Sequence, residues 1–514
     1  MITLCEIKLK TGESVDRLPA KVEHRLHIPK GSVESVRIVK ESIDSRKKPE
    51  IYRVFNIEIE SNFSDEELKA ACDAYKIKYK DTQTQNPIVF PIISNVKTRP
   101  VVAGFGPCGM FAALALSKMG LRPIVIERGL SMDERVAAVD AFWNGGKLNP
   151  KANVQFGEGG AGTFSDGKLT TGTKSPFNRF VLETFVDAGA SPSILFKQKP
   201  HIGTDVLRSV VVNIRKMIED LGGEVFFDSK LESLSIKDGK LTGIKLEDGK
   251  EIKTDTLVLA LGHSARDTIR NLFEQGLKME QKQFSMGVRI EHPQEMVDIS
   301  QYGQKHEVLG IGPADYKLNV KTKDGRGVYT FCMCPGGFVV NASSFEGMVV
   351  TNGMSNSNRG SGTANSGYLC DVYTSDFGSD SPLAGVEFQE KYERLAFEVG
   401  GSDYSLPKET VIEFKTNSKL KKCLPDFVYK SLKEALPLMN HKMAGFDRDD
   451  AIMTGVETRS SSPVRILRDE NLETIGVHGI YPSGEGAGYA GGIMSAATDG
   501  IRVAMQIAKV AENE

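Results

Sequence analysis

Apolar residues that alternate with polar ones, or recur at helical spacing, divide the first hundred residues into a short series of elements. Three segments alternate as half-buried strands do, and one carries apolar residues at helical spacing. Ser64 opens a second helix with an N-cap residue followed by acids. The strands are Ile2–Leu9, Val33–Ile43 and Ile51–Ile59, and the first helix is Val15–Leu26. The order β-α-β-β-α-β predicts a ferredoxin-like α+β domain over residues 1–95, followed by a linker within residues 86–100.

A different pattern begins after the linker. A short apolar run up to Ala103 breaks at glycines, passes into an alanine-rich helical stretch, and is followed by a second apolar run that closes at Glu127. This arrangement predicts a βαβ unit. An amphipathic helix at 204–221 ends at two glycines, and hairpin-type Asp-Gly pairs separate the short strands that follow it. The predicted strands are 224–227, 231–236, 241–246, 251–253 and the buried run 256–260.

The composition of the chain changes again near Phe284. A segment rich in Gly, Ser and Asn extends to Asp449, and a glycine-rich stretch from Gly484 to Gly492 then leads into a helix of small residues at 495–510. The predicted fold class is α/β, with a Rossmann-like FAD/NAD(P)-binding domain that carries an inserted α+β substrate domain. The dinucleotide-binding domain comprises residues 96–280 and 450–514, and the insertion comprises residues 281–449.

Composition excludes several classes of protein. The chain has 514 residues, a formal charge of −2, 40% hydrophobic and 26% charged residues, which is ordinary for a soluble globular protein and does not favour polyanion binding. No run approaches the roughly 18 apolar residues that span a bilayer, and the first ten residues alternate instead of forming a signal peptide. Seven scattered cysteines suit reduced thiols better than a disulfide framework. A cytoplasmic location is expected, with no membrane partner.

The first glycine-rich junction has the chemistry of a dinucleotide site. Gly104 permits the tight turn, Gly106 lets a pyrophosphate approach the backbone, and Gly109 lets the helix pack on the strand. The helix N-terminus supplies N–H donors and a positive dipole end. Glu127 is placed to accept hydrogen bonds from ribose hydroxyls. Glycines that serve only turns are the alternative interpretation.

A second junction lies nearly four hundred residues away, and one long cofactor explains both. FAD would place its adenine side at the first junction and its ribityl chain near Glu485, with the next helix N-terminus aimed at the flavin ring. A glycine cluster at 157–168 would line the same cofactor. The predicted cofactor-binding residues are Gly104, Gly106, Pro107, Cys108, Gly109, Glu127, Arg128, Gly129, Gly159, Gly160, Ala161, Gly162, Thr163, Leu231, Ala260, Gly262, Gly484, Glu485, Gly491, Gly492 and Ile493.

The catalytic group is not identified by sequence, and three residues are candidates. Lys168 closes the glycine cluster, although a solvated surface lysine is an equal alternative. His292 lies in a polar stretch of the insertion, where a turn or ion-pair role is the default. Cys334 and Cys332 would share one face of a strand at the limit of disulfide geometry. A redox pair that passes electrons to flavin is one interpretation, and two small buried residues are the default.

Several quoted motifs resemble a known family. Through Gly104-Phe-Gly-Pro-Cys-Gly109 and Gly484-Glu-Gly-Ala-Gly488 the chain resembles the FAD/NAD(P)-binding, glutathione-reductase-like superfamily. More narrowly it is similar to a bacterial family of uncharacterised FAD-dependent dehydrogenases. The motifs that carry this likeness are Gly157–Lys168, Gly262–Asp267, Gly287–Pro293, Cys332–Gly337, Asn352–Ser355 and Glu457–Arg459. The resemblance implies FAD and carries over no substrate. Glu485 stands where many superfamily members have Asp.

The expected function is that of an FAD-dependent oxidoreductase acting on an unidentified small molecule. The sequence has no second strand-GxGxxG-helix unit of the kind that forms a dedicated NAD(P)H domain. NAD(P)H as electron donor would therefore have to visit the flavin face directly. The alternative is a flavin-bearing redox sensor or partner-binding protein without turnover. No HExxH or paired CxxC spacing occurs, so no metal site is predicted. Nucleic acid is not an expected partner because no aromatic RNP-type strand is present, and the oligomeric state is left open.

Overall fold

The computed structural model describes residues 2–82, 87–94 and 97–513. Met1, the predicted boundary at residues 95 and 96, and the start of the predicted linker at Asn86 lie outside the described residues. Within the described part of the chain, no helix combines the length and the apolar character that crossing a bilayer would require.

The N-terminal elements form one antiparallel sheet covered by two helices. Its strand order is β2-β3-β1-β4, which is the ferredoxin-like order predicted from sequence. A capping box between Ser64 and Glu67 starts the second helix. The elements are β1 (Ile2–Lys10), α1 (Leu18–Leu26), β2 (Val33–Lys47), β3 (Glu50–Ser61), α2 (Asp65–Ala74) and β4 (Tyr79–Asp81).

The next part of the chain builds most of a parallel sheet and its helices. β5, β6 and β11 are apolar at every position because both faces of the sheet are covered, whereas the edge strand β7 begins with the exposed Glu224. A separate antiparallel three-stranded sheet, β10-β9-β8, follows the helix α6. The elements are β5 (Val101–Ala103), α3 (Pro107–Lys118), β6 (Ile124–Ile126), α4 (Met132–Trp143), α5 (Asn178–Asp187), α6 (Thr204–Asp220), β7 (Glu224–Phe226), β8 (Leu231–Lys237), β9 (Lys240–Leu246), β10 (Glu251–Ile252), β11 (Leu257–Leu259) and α7 (Arg266–Glu274).

The insertion is built around a six-stranded sheet with the order β14-β15-β18-β13-β20-β19. Its neighbouring strands are antiparallel. The elements are β12 (Met279–Gln281), β13 (Phe284–Pro293), α8 (Gln294–Tyr302), α9 (His306–Leu309), β14 (Asn319–Lys321), β15 (Gly327–Cys334), β16 (Phe338–Asn341), β17 (Thr351–Met354), β18 (Thr363–Val372), α10 (Ala384–Gly400), β19 (Lys408–Thr410), α11 (Val411–Thr416), α12 (Asp426–Lys442) and β20 (Ile452–Glu457).

One predicted boundary differs from the structure. The division at residue 450 assigns residues 452–457 to the dinucleotide-binding domain, whereas β20 pairs with β13 inside the insertion sheet. Met453 and Val456 are fully buried in the core of the insertion. The physical reason is that β20 buries its apolar face against the helices of the insertion. Only after β20 does the chain return to the dinucleotide-binding domain.

The C-terminal segment completes the parallel sheet. It contributes β21 (Val464–Ile466), β22 (Ile480–Pro482) and α13 (Ile493–Asn513). The order β22-β11-β5-β6-β7 places the returning strand beside β11, and α13 packs against α3 with Gly500 directly over the backbone of Cys108. The Rossmann-like fold class predicted from sequence is therefore confirmed, with both glycine junctions at the carboxyl edge of one sheet.

Candidate functional site

The first junction requires glycine for steric reasons that the structure makes explicit. Gly104 has a φ of +104°, and a Cβ there would lie 2.5 Å from the Ala260 carbonyl oxygen. A Cβ on Gly109 would lie 1.9 Å from the Gly104 oxygen. Gly106 precedes Pro107, the first residue of α3, and no side chain caps this helix end. The N–H groups of the first turn therefore receive no side-chain cap from the described residues.

Glu127 connects the junction to the glycine cluster. Its buried carboxylate accepts hydrogen bonds from the N–H groups of Phe105 at 2.9 Å, Gly129 at 2.9 Å and Gly157 at 3.0 Å. A carboxylate offers about four lone-pair sites, so these three bonds leave capacity for a further donor such as a ribose hydroxyl. The adjacent Arg128 forms a bidentate ion pair with Asp267 and lies over the ring of Phe156.

The glycine cluster lies between the two junctions. Gly160 has a φ of +62°, and a Cβ there would lie 2.9 Å from the Cα of Gly106. A Cβ on Gly162 would lie 3.4 Å from the side chain of Ile493, and it would also meet Pro107. The N–H of Gly159 donates to the Phe105 carbonyl at 2.9 Å. The three glycine segments that the sequence assigned to one cofactor are therefore brought together.

The second junction is fixed by residues that sequence analysis missed. The Asp499 carboxylate accepts from the N–H of Gly484 at 2.9 Å and from the Ser483 hydroxyl at 3.0 Å, and Arg468 holds it in a bidentate pair. The Cys108 thiol donates to Ser483 Oγ at 3.1 Å, so the two junctions touch. Asp499 lies seven residues after Gly492, about two helical turns, and an acid at that spacing is the only signal that could have indicated it.

Open space and one unpaired buried atom mark where a cofactor fits. A Cβ on Gly262, Gly491 or Gly492 would meet no atom within 4 Å. His263 Nδ1 lies 2.9 Å from Glu485 Oε1, and its buried Nε2 has no hydrogen-bond partner. An open cradle that combines the uncapped N-terminus of α3, the start of α13 and an unsatisfied imidazole nitrogen suits a long, polar, phosphate-bearing group. The residues present therefore fit FAD.

The remaining predicted cofactor residues take varied positions. The Ala260 carbonyl faces Gly104, and Ala161 and Thr163 form a 3-10 turn in which the Thr163 carbonyl accepts from Thr204. Leu231 begins β8, and its side chain is buried in the core beside the parallel sheet.

A cleft of about 430 Å³ opens beside the start of α13. Its lining residues are Thr170, Thr171, Gly172, Thr173, Lys282, Gly488, Tyr489, Ala490, Gly491, Gly492, Met494 and Ser495.

A buried charged cluster in the insertion centres on Arg289. Its guanidinium contacts the Glu457 carboxylate at 2.6 Å and 3.0 Å, and it donates to Asn365 Oδ1 at 2.8 Å and to the Cys332 carbonyl at 3.1 Å. Burial raises the pKa of Glu457 to about 7 even beside this cation. Sequence analysis placed both residues only within the motifs Gly287–Pro293 and Glu457–Arg459, since separate strands bring them together.

Lys168 lies at the edge of this cluster. Its ammonium is 3.8 Å from the buried carboxylate of Asp166, which also accepts two bonds from Arg359 at 3.0 Å and 2.6 Å and one from the Ser355 hydroxyl. Although burial opposes ionisation, Arg359 and Lys168 lower the pKa of Asp166. The end of the glycine cluster is therefore joined to the insertion by charged groups.

Of the three catalytic candidates, the structure brings two to this cluster. Lys168 and Cys334 belong to it, but His292 occupies the opposite face of β13 and is packed against Phe446 and Tyr316. The His292 imidazole pairs through Nε2 with the Phe446 carbonyl at 2.8 Å, and burial lowers its pKa to about 4. The assignment of His292 as a catalytic candidate is therefore corrected to a core position.

Comparison with known proteins agrees with the class that the fold and site define, an FAD-dependent protein. The model of the family described as "FAD-dependent protein, C-terminal domain-like" matches residues 283–419 and 415–460, and a domain of unknown function matches residues 1–60. An uncharacterized protein of Clostridium beijerinckii is 45% identical over 526 residues, with 98% of each chain covered. The chain belongs to the family of this clostridial protein. The predicted resemblance and the assignment of FAD are confirmed.

Solved structures with a similar arrangement include two dehydrogenases. The glycerol-3-phosphate dehydrogenase from Bacillus halodurans, complexed with FAD, is 14% identical and is matched over 82% of this chain and 66% of that chain, with a TM-score of 0.38. The L-proline dehydrogenase from P. horikoshii is 14% identical over 82% of this chain and 94% of that chain, with a TM-score of 0.35.

Proposed function

We propose that the protein is an FAD-dependent oxidoreductase whose bound flavin passes a hydride or an electron pair between a donor and a small-molecule substrate. The observation that supports this proposal is the convergence of three glycine segments next to a buried cluster of titratable groups on the insertion. Titratable groups with perturbed pKa values beside a cofactor site are typical of catalytic centres. NAD(P)H is proposed as a donor that visits the flavin face.

The chain's own residues supply binding, orientation and proton exchange. When bound, FAD supplies the two-electron chemistry. Gly106 and Gly160 leave room for the cofactor, and Asp499 holds the second junction in place through the N–H of Gly484. Because the pKa of Glu457 is raised by burial to about 7, its carboxyl group can hold or release a proton near neutral pH. Arg289 keeps that carboxyl group oriented.

Binding of FAD is tested by the Gly106→Val variant. The nearest protein atom to a Cβ at this position is 3.8 Å away, so the fold tolerates the larger side chain while the space for the pyrophosphate is lost. We expect a folded protein with at least a tenfold loss of FAD retention, measured from the flavin released on denaturation. Gly312→Val is the matched control, because no atom lies within 4 Å of its Cβ. Full FAD occupancy in Gly106→Val would refute the assignment of this junction.

Turnover is tested by anaerobic photometry of the holoprotein. We expect NAD(P)H or another donor to bleach the flavin, and a suitable acceptor to restore its absorbance over repeated cycles. Partner binding that depends on the flavin redox state, without turnover for any donor and acceptor pair, would instead indicate a redox sensor and would overturn the enzymatic proposal.

A further inference from the structure

Cys332 and Cys334 lie on an irregular part of β15. The register of β15 against β18 shifts between Phe331 and Cys334, and Cys332 has a φ of +43°, in the left-handed region. Residues two apart on a regular strand are about 6.5–7 Å apart at Cα, which is at the limit for a disulfide. Here the bulge lets the Cys334 thiol turn back and donate to the Cys332 carbonyl at 3.2 Å. The two thiols are also within hydrogen-bonding reach of each other.

The two thiols differ in their tendency to ionise. A side-chain hydrogen bond with the Cys334 thiol, together with the charges of Lys168 and Arg289, lowers the pKa of Cys332, although burial opposes ionisation. The same hydrogen bond and burial raise the pKa of Cys334. Because a thiolate is the reactive form of cysteine, Cys332 is the nucleophilic member and Cys334 keeps its proton.

Exposure and environment separate this pair from the other buried cysteines. Cys332 is partly exposed, whereas Cys334 is fully buried. Arg289 Nη1 bonds to the Cys332 carbonyl and lies 3.9 Å from the Cys334 sulfur. In contrast, burial raises the pKa of Cys108 to about 12 and that of Cys370 to about 11, as expected for inert packing residues.

The pair also lies near the predicted flavin environment. Lys168 closes the glycine cluster whose Gly160 and Gly162 contact both junctions, and its charge acts on Cys332. Asn365 is completely buried, and its amide oxygen accepts from Arg289. Its amide nitrogen has no hydrogen-bond partner among the residues that the structure describes. Asn365 pairs with Cys334 in the sheet, so this buried donor is able to bond a further polar group beside the two thiols.

We propose that Cys332 and Cys334 form a redox-active dithiol that exchanges an electron pair with the bound flavin. This inference rests on the proposed function, because the flavin is the electron acceptor. The Cys332 thiolate and the Cys334 thiol form one sulfur–sulfur bond and release two electrons and one proton. Oxidised FAD takes up the two electrons and the proton, and the reverse reaction cleaves the sulfur–sulfur bond and restores the thiolate and the thiol.

Reductive titration of the air-oxidised holoprotein tests the exchange. Under anaerobic dithionite titration, wild-type protein should take up one electron pair more per flavin than Cys332→Ser or Cys334→Ser. Thiols counted after denaturation should rise by two in wild type, to the seven of the reduced chain, and should stay constant in Cys332→Ser and Cys334→Ser. Cys5→Ser is the matched control, because this partly exposed cysteine lies in the ferredoxin-like domain, and it should keep the additional electron pair.

Equal electron uptake by wild type and both serine variants, with a constant thiol count, would overturn the dithiol inference. That result would leave the proposed function intact, because flavin reduction would still be observed. Failure of every donor to reduce the flavin would instead count against the proposed function. The two failures are thus distinguishable, because loss of the additional electron pair leaves reduction of the flavin intact.

The role of Lys168 gives a second test that does not depend on flavin. Alkylation of Cys332 by iodoacetamide, followed by mass spectrometry across a pH series, reports its ionisation. We expect Lys168→Met to shift the alkylation profile to higher pH, because the variant removes a positive charge that favours the thiolate. Lys174→Met, at an exposed position, should leave the profile unchanged. An unshifted profile in Lys168→Met would remove Lys168 from the thiol site.

Discussion

At the residue scale, the buried imidazole of His292 is expected to make the stability of the protein depend on pH. Burial lowers its pKa from 6.5 to about 4, and no acceptor among the described residues lies within hydrogen-bond distance of Nδ1 to stabilise a proton there. The unfolded chain therefore binds a proton below pH 6.5, whereas the folded chain does so only near pH 4. The contribution of His292 to stability is complete above pH 6.5 and is lost as the pH falls towards 4.

We expect His292→Gln to reduce this loss by up to about 3 kcal/mol, since one pKa unit corresponds to about 1.4 kcal/mol. The free energy of unfolding measured in urea at several pH values between 6.5 and 4 checks this expectation. The exposed His441 provides the control His441→Gln, which should retain the wild-type dependence on pH. Unchanged pH dependence in His292→Gln, or loss of FAD from the folded variant, would contradict the core assignment.

Single residues of the candidate site were predictable from sequence only where they belong to a short local motif with a known binding role. Gly104, Gly109 and Glu127 follow from the spacing of the βαβ unit, and the structure gives each a steric or hydrogen-bonding reason. Arg289 and Glu457 are 168 positions apart and meet only because β13 and β20 pair. Sequence alone could not select them, because the pairing of distant strands has no local signal.

At the scale of elements, hydrophobic periodicity predicted where strands and helices occur better than it predicted which strands pair with each other. The ferredoxin-like order and the helix α6 follow from alternation and helical spacing. The pairing of β12 with β21 and the membership of β20 in the insertion sheet do not, because each depends on tertiary packing. The bulge at Cys332 was also missed, since a one-residue change in register leaves the apolar pattern nearly intact.

At the element scale, the position of the start of α13 leads to a prediction about the midpoint potential of the flavin. α13 begins at Ile493, and an added Cβ at Gly492 would meet no protein atom within 4 Å. The positive end of a helix dipole stabilises negative charge nearby, typically by about 0.3–1 kcal/mol when exposed. The sequence predicts that this end faces the part of the flavin ring where charge accumulates on reduction. Gly492→Ala should move the ring away and lower the two-electron midpoint potential.

The midpoint potential of Gly492→Ala is to be compared with wild type and with Gly312→Ala, a substitution in open space. All three proteins must retain FAD for the comparison to report on the helix. An unchanged or higher potential in Gly492→Ala, at full occupancy, would remove α13 from the stabilisation of reduced flavin.

At the scale of the whole molecule, the ferredoxin-like domain docks through its edge strand. The N–H of Glu41 in β2 donates to the Phe196 carbonyl at 2.8 Å, and the N–H of Gln198 donates to the Glu41 carbonyl at 2.8 Å. This pairing adds the segment 196–198 to the edge of the sheet. The same segment continues to His201, which forms an isolated bridge with Lys168. The docking therefore ends beside the charged cluster but involves none of the junction glycines.

Deleting residues 1–95 should consequently leave FAD bound with a nearly unchanged spectrum, because the contacts among the glycine segments involve residues 104–163 and 484–493. Glu41→Pro tests the docking itself, since proline removes one interdomain donor at an edge position, a loss of about 0.5–1.5 kcal/mol. We expect faster hydrogen exchange at Gln198 with FAD occupancy retained. Ile43→Pro, two residues along the same edge strand, is the control and should not accelerate exchange at Gln198. Flavin loss from a folded truncation would show that the first domain helps to hold the cofactor.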